Sequence, residues 1–199
     1  MQDLLTDMNS YPFLDNKVQT LSDAILGDIV RPVRKSRLID ISGSPWVPAT
    51  ELRAKLGHLL LSGELDSGLP ILRHGVLTGL IPAPDLEYAL DNVLDEDNTL
   101  CLMCMDTSSV VAVDDDGTAD RVDFTRYIDP VCSCLSHHLL CNSHLTVQAP
   151  IALDIHSSVD LVYQCFVKLG LRYLCVVQNG VYAGLVHKKV FVQFLKETE

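Results

Sequence analysis

This 199-residue sequence predicts an α/β fold made of two copies of one unit: strand, helix, strand, strand, helix. Three features predict it. Residues 75–81 read GVLTGLI and residues 180–186 read GVYAGLV, so Gly75 matches Gly180, Gly79 matches Gly184 and Leu80 matches Leu185 at a constant offset of 105. Each copy follows a short apolar run, residues 69–72 and 173–177, across a glycine turn (RHG and QNG), which is the pattern of a β-hairpin. Ahead of each hairpin, TELRAKLGHLLL at 50–61 and SVDLVYQCFVKL at 158–169 carry apolar residues at three-to-four spacing, the period of a helix packed by one face.

Thr50 is the expected N-cap of the first helix, and Ser157 or Ser158 of the second, because a hydroxyl there accepts from the unpaired N–H groups of the first turn. A further helix closes each unit, over residues 84–93 and 188–196. Between the units, residues 95–123 hold nine acids and one base, Arg121. Such a block reads as a solvated linker with one weak strand at Val110 to Val113. Cys101 and Cys104 form a C-x-x-C inside it without a second pair, so the expectation is a strand with buried thiols rather than a redox or metal pair.

Composition narrows the function. Lys and Arg number 15 against 26 Asp and Glu, a net charge of −11, which argues against a nucleic acid or anionic lipid surface as the main partner. With 48% hydrophobic and 21% charged residues, the chain can bury a core and remain soluble. Seven cysteines, an odd number spread from Cys101 to Cys175, fit a reducing compartment better than a disulfide framework. The opening MQDLLTDMNSYPFLDN has no basic region ahead of an apolar one, so no signal peptide is expected. Residues 130–153 lack Asp, Glu, Lys and Arg between Asp129 and Asp154, but their three histidines, serines and prolines make them too polar for a membrane span.

No enzyme is expected. The sequence has no G-x-S-x-G elbow, Walker-type phosphate loop, G-x-G-x-x-G or H-E-x-x-H. His58 sits on a helix, His74 in a turn, and His156 and His187 at strand ends, each without a partnered motif.

Four stretches carry a more specific signal: YPFLDNK at 11–17, LGDIVRP at 26–32, SGLPIL with GLIPAPDL at 67–72 and 79–86, and FVKLGLRYLCVV with AGLVHKK at 166–177 and 183–189. In this order they resemble a pair of CBS domains, the cystathionine β-synthase type of module, and more narrowly the cytosolic C-terminal region of CLC chloride channels and transporters. RYIDP and KLGLRY are similar to the wording of fungal members. The resemblance implies a juxtamembrane linker at 1–25, CBS repeat 1 at 26–94, an acidic flexible linker at 95–121 and CBS repeat 2 at 122–199. It also implies a module packed about a pseudo-two-fold axis, with clefts able to hold an adenine nucleotide.

Carried over by position, the nucleotide residues would be Asp40, Asp66, Ser67, Asp85, Lys189 and Val190. Asp66 stands where the family places a tyrosine that stacks on the base, Asp40 where a threonine lines the cleft, and Val190 where an aspartate grips the ribose; the counterpart of Val190 in the first repeat is Asp85. Lys188 and Lys189 could meet phosphates or be ordinary surface lysines. No cofactor is therefore expected. Binding of ATP, ADP or AMP is weakened or lost in this reading, with Ser67 and Asp85 the residual candidates.

Repeat 2 carries an oddity. The 18 residues VCSCLSHHLLCNSHLTVQ at 131–148 separate Asp129-Pro130 from Ala149-Pro150, and removing them restores Y-I-D-P-A-P-I-A-L and shortens the repeat offset to 87. Val131, whose codons begin GT, Gln148, which can be encoded by CAG, and Leu145-Thr146, which can be encoded by a CTGAC-like sequence, suggest the hypothesis of an intron retained in frame; its presence in every spliced transcript would refute that. The alternative is zinc on Cys132, Cys134, His137, His138, Cys141 and His144. These do not make two separated knuckles, so no metal site is expected.

The function implied by the resemblance is a regulatory and dimer-assembly domain on the cytosolic face of a CLC chloride channel or chloride/proton antiporter. Its partners would be the chain's own transmembrane domain and a second copy, and chloride would pass only through that membrane domain. Tyr11, Pro12 and Phe13 are the candidates for coupling to it, or else a hydrophobic staple onto the module itself. Val190, Phe191, Phe194 and Leu195 are candidates for a dimer contact, or else internal core. The alternative is a free-standing CBS-pair sensor that binds adenine nucleotide and regulates a separate partner.

Overall fold

The computed structural model describes residues 23–31, 33–63, 67–104, 119–131 and 150–198. The elements of the first half are β1 (Ile39–Asp40), β2 (Trp46–Pro48), α1 (Ala49–Leu61), β3 (Gly68–Arg73), β4 (Val76–Pro82), α2 (Ala83–Asp91), β5 (Thr99–Leu102) and β6 (Asp120–Asp123), and β7 (Asp129–Pro130) lies in the lead-in of the second half. Those of the second are β8 (Ala152–Asp154), α3 (Val159–Val167), β9 (Tyr173–Gln178), β10 (Val181–His187) and α4 (Lys188–Thr198).

The two hairpins obey one rule. His74 and Gly75 have φ of 52° and 78°, Asn179 and Gly180 51° and 79°, and the flanking pairs Arg73/Val76 and Gln178/Val181 are in register. Two consecutive left-handed residues make the turn whose twist matches that of the strands, and Gly or Asn supplies that conformation cheaply. Each hairpin also carries a bulge at the equivalent residue, Thr78 in β4 and Ala183 in β10, which has no partner opposite it. The offset of 105 thus extends from the sequence into the pairing.

The helices bury one stripe each. Leu52, Leu56 and Leu59 of α1, Leu86 and Leu90 of α2, Val162 and Phe166 of α3, and Phe191 of α4 are almost completely buried. Ser158 caps α3, its Oγ accepting from Leu161 N at 3.4 Å. Thr50 does not cap α1: the helix begins two residues earlier than that cap implies, at Ala49, with Pro48 at the cap and no side-chain hydrogen bond. Gly63, at φ 67°, ends that helix.

Three sheets result, in the orders β1-β3-β4-β7, β10-β9-β8 and β2-β5-β6. The third corrects the expectation for residues 95–121. Thr99 and Cys101 point inward from β5, 3% and 0% exposed, so this part of the acidic stretch is a buried strand and not a solvated linker. Its Cys101 and Cys104 are both buried. Val110 to Val113 and the cysteines and histidines of 132–144 lie outside the described residues.

The halves exchange their lead-in segments. Leu26, fully buried, and Ile29 pack into the core of the second half with Phe166, Leu174 and Phe191, and Leu26 N and Gly27 N donate to the carbonyls of Ser157 and Ile155 at 2.8 and 2.9 Å. Reciprocally, Phe124 packs into the first half's core, and β7 pairs with β4. The hairpins meet as well: Tyr182 N donates to Gly75 O at 2.9 Å, and Leu72, Leu77, Leu80 and Cys175 form a shared apolar cluster. Neither half is complete without a segment that precedes the other.

Candidate functional site

The exchange creates two pseudo-equivalent junctions. At the first, the backbone of Val30 and Arg31 lies against Gly184 of β10, where a Cβ would stand 2.6 Å from Val30 Cγ1 and 3.3 Å from the Arg31 carbonyl oxygen. At the second, Ile128 and Asp129 lie against Gly79 of β4, where a Cβ would stand 2.7 Å from Ile128 Cγ2 and 3.2 Å from the Asp129 carbonyl oxygen. Only glycine admits a backbone this close. The repeat's paired glycines therefore mark where each lead-in crosses to the opposite half.

Equivalent positions carry different chemistry. Arg31 stands where the second junction has Asp129. Val190, third residue of α4, stands where Asp85 is third residue of α2; Ser67 stands where the second has Arg172. The first junction encloses a cavity of about 70 Å³ lined by Arg31, Arg34, Arg37, Ser67, His187 and Val190 among others, and among the described residues its lining holds no acid. Ser67 is 3% exposed and its carbonyl accepts from Ala83 N at 3.0 Å; His187 is 7% exposed and its Nδ1 accepts from Lys189 N at 3.1 Å. The second junction sets two carboxylates, Asp85 and Asp129, beside Arg172. Burial, then the negative charge of Asp85, pushes the Asp129 carboxyl above the usual carboxylate range. Burial first, with those carboxylates behind it, also raises the Tyr173 hydroxyl to about 12.

Of the residues expected at a nucleotide site, the structure brings Ser67 and Val190 together in the first cavity. Lys189 lines a neighbouring open cavity with Arg172 and Lys188, and His187 is common to the walls of both. Asp85 is exposed at the second junction. Asp40 joins neither cavity: it is exposed at the end of β1, where Ser42 N donates to its Oδ1 at 3.0 Å and the Ser42 hydroxyl also donates, which lowers its pKa. Asp66, and the coupling candidates Tyr11, Pro12 and Phe13, lie outside the described residues. The dimer stripe turns inward. Phe191 is 1% exposed with its ring centroid 5.1 Å from that of Phe166, and Val190, Phe194 and Leu195 pack on the same core, so α4's apolar face covers its own half.

Sequence reasoning missed the three arginines. Their signal was legible as RPVRKSR at 31–37, four bases in seven residues of an acidic chain.

No protein-family profile matches the chain. Its structure is similar to the CBS domain of a bacterial CNNM/CorC-family Mg²⁺ transporter solved in complex with ATP, at 16% sequence identity and a TM-score of 0.50, covering 88% of this chain and 89% of that one. The fold is that of a tandem CBS-domain pair. In sequence the chain is 22% identical over 196 residues to H⁺/Cl⁻ exchange transporter 3 of Mus musculus, covering 96% of this chain and 21% of the transporter. It is 23% identical over 185 residues to H⁺/Cl⁻ exchange transporter 5 of Cavia porcellus, covering 92% and 22%. These sequence relatives are H⁺/Cl⁻ exchange transporters, and the chain spans about a fifth of the length of the curated relatives it matches. Among the described residues, no helix is long and apolar enough to cross a membrane.

Proposed function

We propose that this CBS pair is the non-catalytic regulatory and dimer-assembly domain on the cytosolic side of a CLC-type chloride channel or chloride/proton exchanger, with adenine nucleotide binding weakened or lost. The observation that carries the reading is the similarity of nearly the whole chain to H⁺/Cl⁻ exchange transporters of about five times its length. The crossed lead-ins supply a physical route for regulation. Residues 24–30, which connect to everything upstream, are anchored on the second half, so a displacement upstream strains the junction between the halves. A module that prefers one of two such arrangements biases whatever it is tethered to.

The loss of nucleotide is supported by size and charge. Pockets for drug-sized ligands run from roughly 300 Å³ upward, whereas the first cavity measures about 70 Å³. Val190 has no oxygen to offer a ribose. At the second junction Asp85 keeps that oxygen, but with Asp129 beside it the local field opposes a triphosphate.

Two measurements test the reading. Chloride current recorded from the full-length protein is expected to shift in its activation when Leu26→Ala loosens the upstream anchor; unchanged gating in an expressed variant would refute regulation through this module. Calorimetry of the 199-residue chain with ATP, ADP and AMP into the millimolar range is expected to give no binding. Clear heat, weakened by Ser67→Ala or Asp85→Ala, would overturn that part and favour a nucleotide sensor.

A further inference from the structure

We propose that Ser36 is a phosphorylation site for a basophilic protein kinase, one whose substrate groove is acidic and whose phosphoryl donor is ATP. The site stands on this chain's own residues, and only its consequence for chloride current rests on the regulatory reading.

Three observations point to it. Among the Ser and Thr residues of the sequence, Ser36 alone has a base immediately on each side, Lys35 and Arg37. Arg31 and Arg34 bring the count to four bases in seven residues of a chain whose net charge is −11. An acidic groove is attracted to such a cluster and repelled by an otherwise acidic molecule.

The segment is also presented to solvent. Arg31, Val33, Arg34 and Lys35 are exposed and Ser36 is partly so. Residues 33–37 belong to no sheet; Lys35–Arg37 form one turn of 3-10 helix, in which Arg37 N donates to Arg34 O at 2.9 Å and Leu38 N to Lys35 O at 3.5 Å. A kinase takes its substrate in an extended form, and two local bonds, one of them long, oppose that only weakly. Finally, the hydroxyl is unengaged. Those of Ser42, Ser62, Thr78, Thr99 and Thr125 each donate to a carboxylate or a carbonyl, whereas that of Ser36 makes no hydrogen bond among the described residues.

In the transfer, Ser36 Oγ attacks the γ-phosphorus of ATP as the bond from that phosphorus to the bridging oxygen breaks. ADP leaves, and the hydroxyl proton passes to the carboxylate base of the kinase. The product carries about −1.5 to −2 charges at pH 7 and three acceptor oxygens, amid the four bases of residues 31–37. Guanidinium and ammonium groups bond such oxygens strongly. The modified residue lies between the Leu26 anchor on the second half and β1 of the first, so the new charge acts on the link between the halves.

The test is incubation of the 199-residue chain with ATP and the catalytic domain of protein kinase C, with the modified residue located by fragmentation mass spectrometry. Ser36 is expected to be the principal site, and Ser36→Ala to abolish it. Arg34→Gln, exposed and so tolerated by the fold, is expected to slow transfer by about tenfold, the loss of one charge-assisted contact with the groove. A synthetic peptide of residues 29–41 is expected to react no more than about tenfold faster than the folded chain. Modification of the peptide but not of the chain would show that the fold closes the site. That result, modification of neither, transfer chiefly to another hydroxyl, or an unchanged rate in Arg34→Gln would each overturn the proposal.

In the full-length protein, Ser36→Glu is expected to shift the activation of chloride current relative to Ser36→Ala. Equal currents beside efficient transfer to Ser36 would support the site and count against the regulatory reading, so the two fail separately.

Discussion

The two junctions of this module share one backbone plan and have opposite electrostatics. Each brings a β-branched residue and a charged residue, Val30-Arg31 in one and Ile128-Asp129 in the other, across a glycine of the opposite half. Around that common frame, Arg31, Arg34 and Arg37 make the first positive, while Asp85 and Asp129 make the second negative. The fold requires the glycine, the turn and the buried anchor, and leaves the charged positions unconstrained. Structure is therefore held by the shared residues and any ligand preference by those that differ. A duplicated unit can in this way keep its symmetry in packing while losing it in chemistry.

The sharpest way to break this comparison is to remove the buried anchors. Phe124→Ala is expected to cost about 4 kcal/mol and Leu26→Ala about 3 kcal/mol in urea unfolding, the range for emptying a well-packed site. Hydrogen exchange should then show that Phe124→Ala loosens α1, β3 and β4, whereas Leu26→Ala loosens α3, β9 and β10. If each variant instead loosened the half that follows it in sequence, the exchange of lead-ins would be wrong. Next in size are Gly79→Ala and Gly184→Ala, each expected to cost about 2 kcal/mol because the new methyl meets a branched side chain and a carbonyl on the crossing segment. Near-equal costs are the signature of a shared plan, and a large inequality would show that one junction is looser than the other.

The first half holds an ion-paired tie between its helix and the third sheet, and it explains where sequence reading fell short. Arg53 of α1 bonds Asp91 and Glu96, tying the helix to the segment that leads into β5 and the third sheet. Glu96 above all holds the guanidinium in its charged form. Arg53→Ala is expected to cost about 1 kcal/mol, since the pair is only partly buried, with loosening confined to the first half. The hairpins and helices were legible because glycine turns and three-to-four spacing are local signals and the repeat states them twice. The third sheet was legible only in part: a strand with buried thiols at Cys101 was expected, but its pairing with Trp46–Pro48 and Asp120–Asp123 was not, because no local signal names a strand's partners. Nor was the exchange of lead-ins. LGDIVRP and FTRYIDP share little beyond their proline, and they lie 98 residues apart rather than 105, so the repeat does not reveal them. The inward turn of Phe191 was weighed as core against a dimer contact, and Phe166 decides it.

The smallest expected effect is also the most specific to one junction. In the folded chain burial, and then Asp85, holds the Asp129 carboxyl above its ordinary value, so its folded pKa lies above its unfolded one. Across the window between the two, the native state keeps a proton that the unfolded chain has released, and stability falls as pH rises through it. Above the window the full penalty remains, so it is present near pH 7. Asp129→Asn removes the charge and keeps the shape. It is expected to raise the melting temperature by about 2 °C near pH 7 and to leave it unchanged at about pH 3, where the wild-type carboxyl is protonated in both states. Arg31→Gln, at the equivalent place in the first junction, is expected to shift melting equally at both pH values. A gain from Asp129→Asn as large in acid as at neutrality would assign it to packing, and the contrast in charge between the junctions would then have no thermodynamic weight.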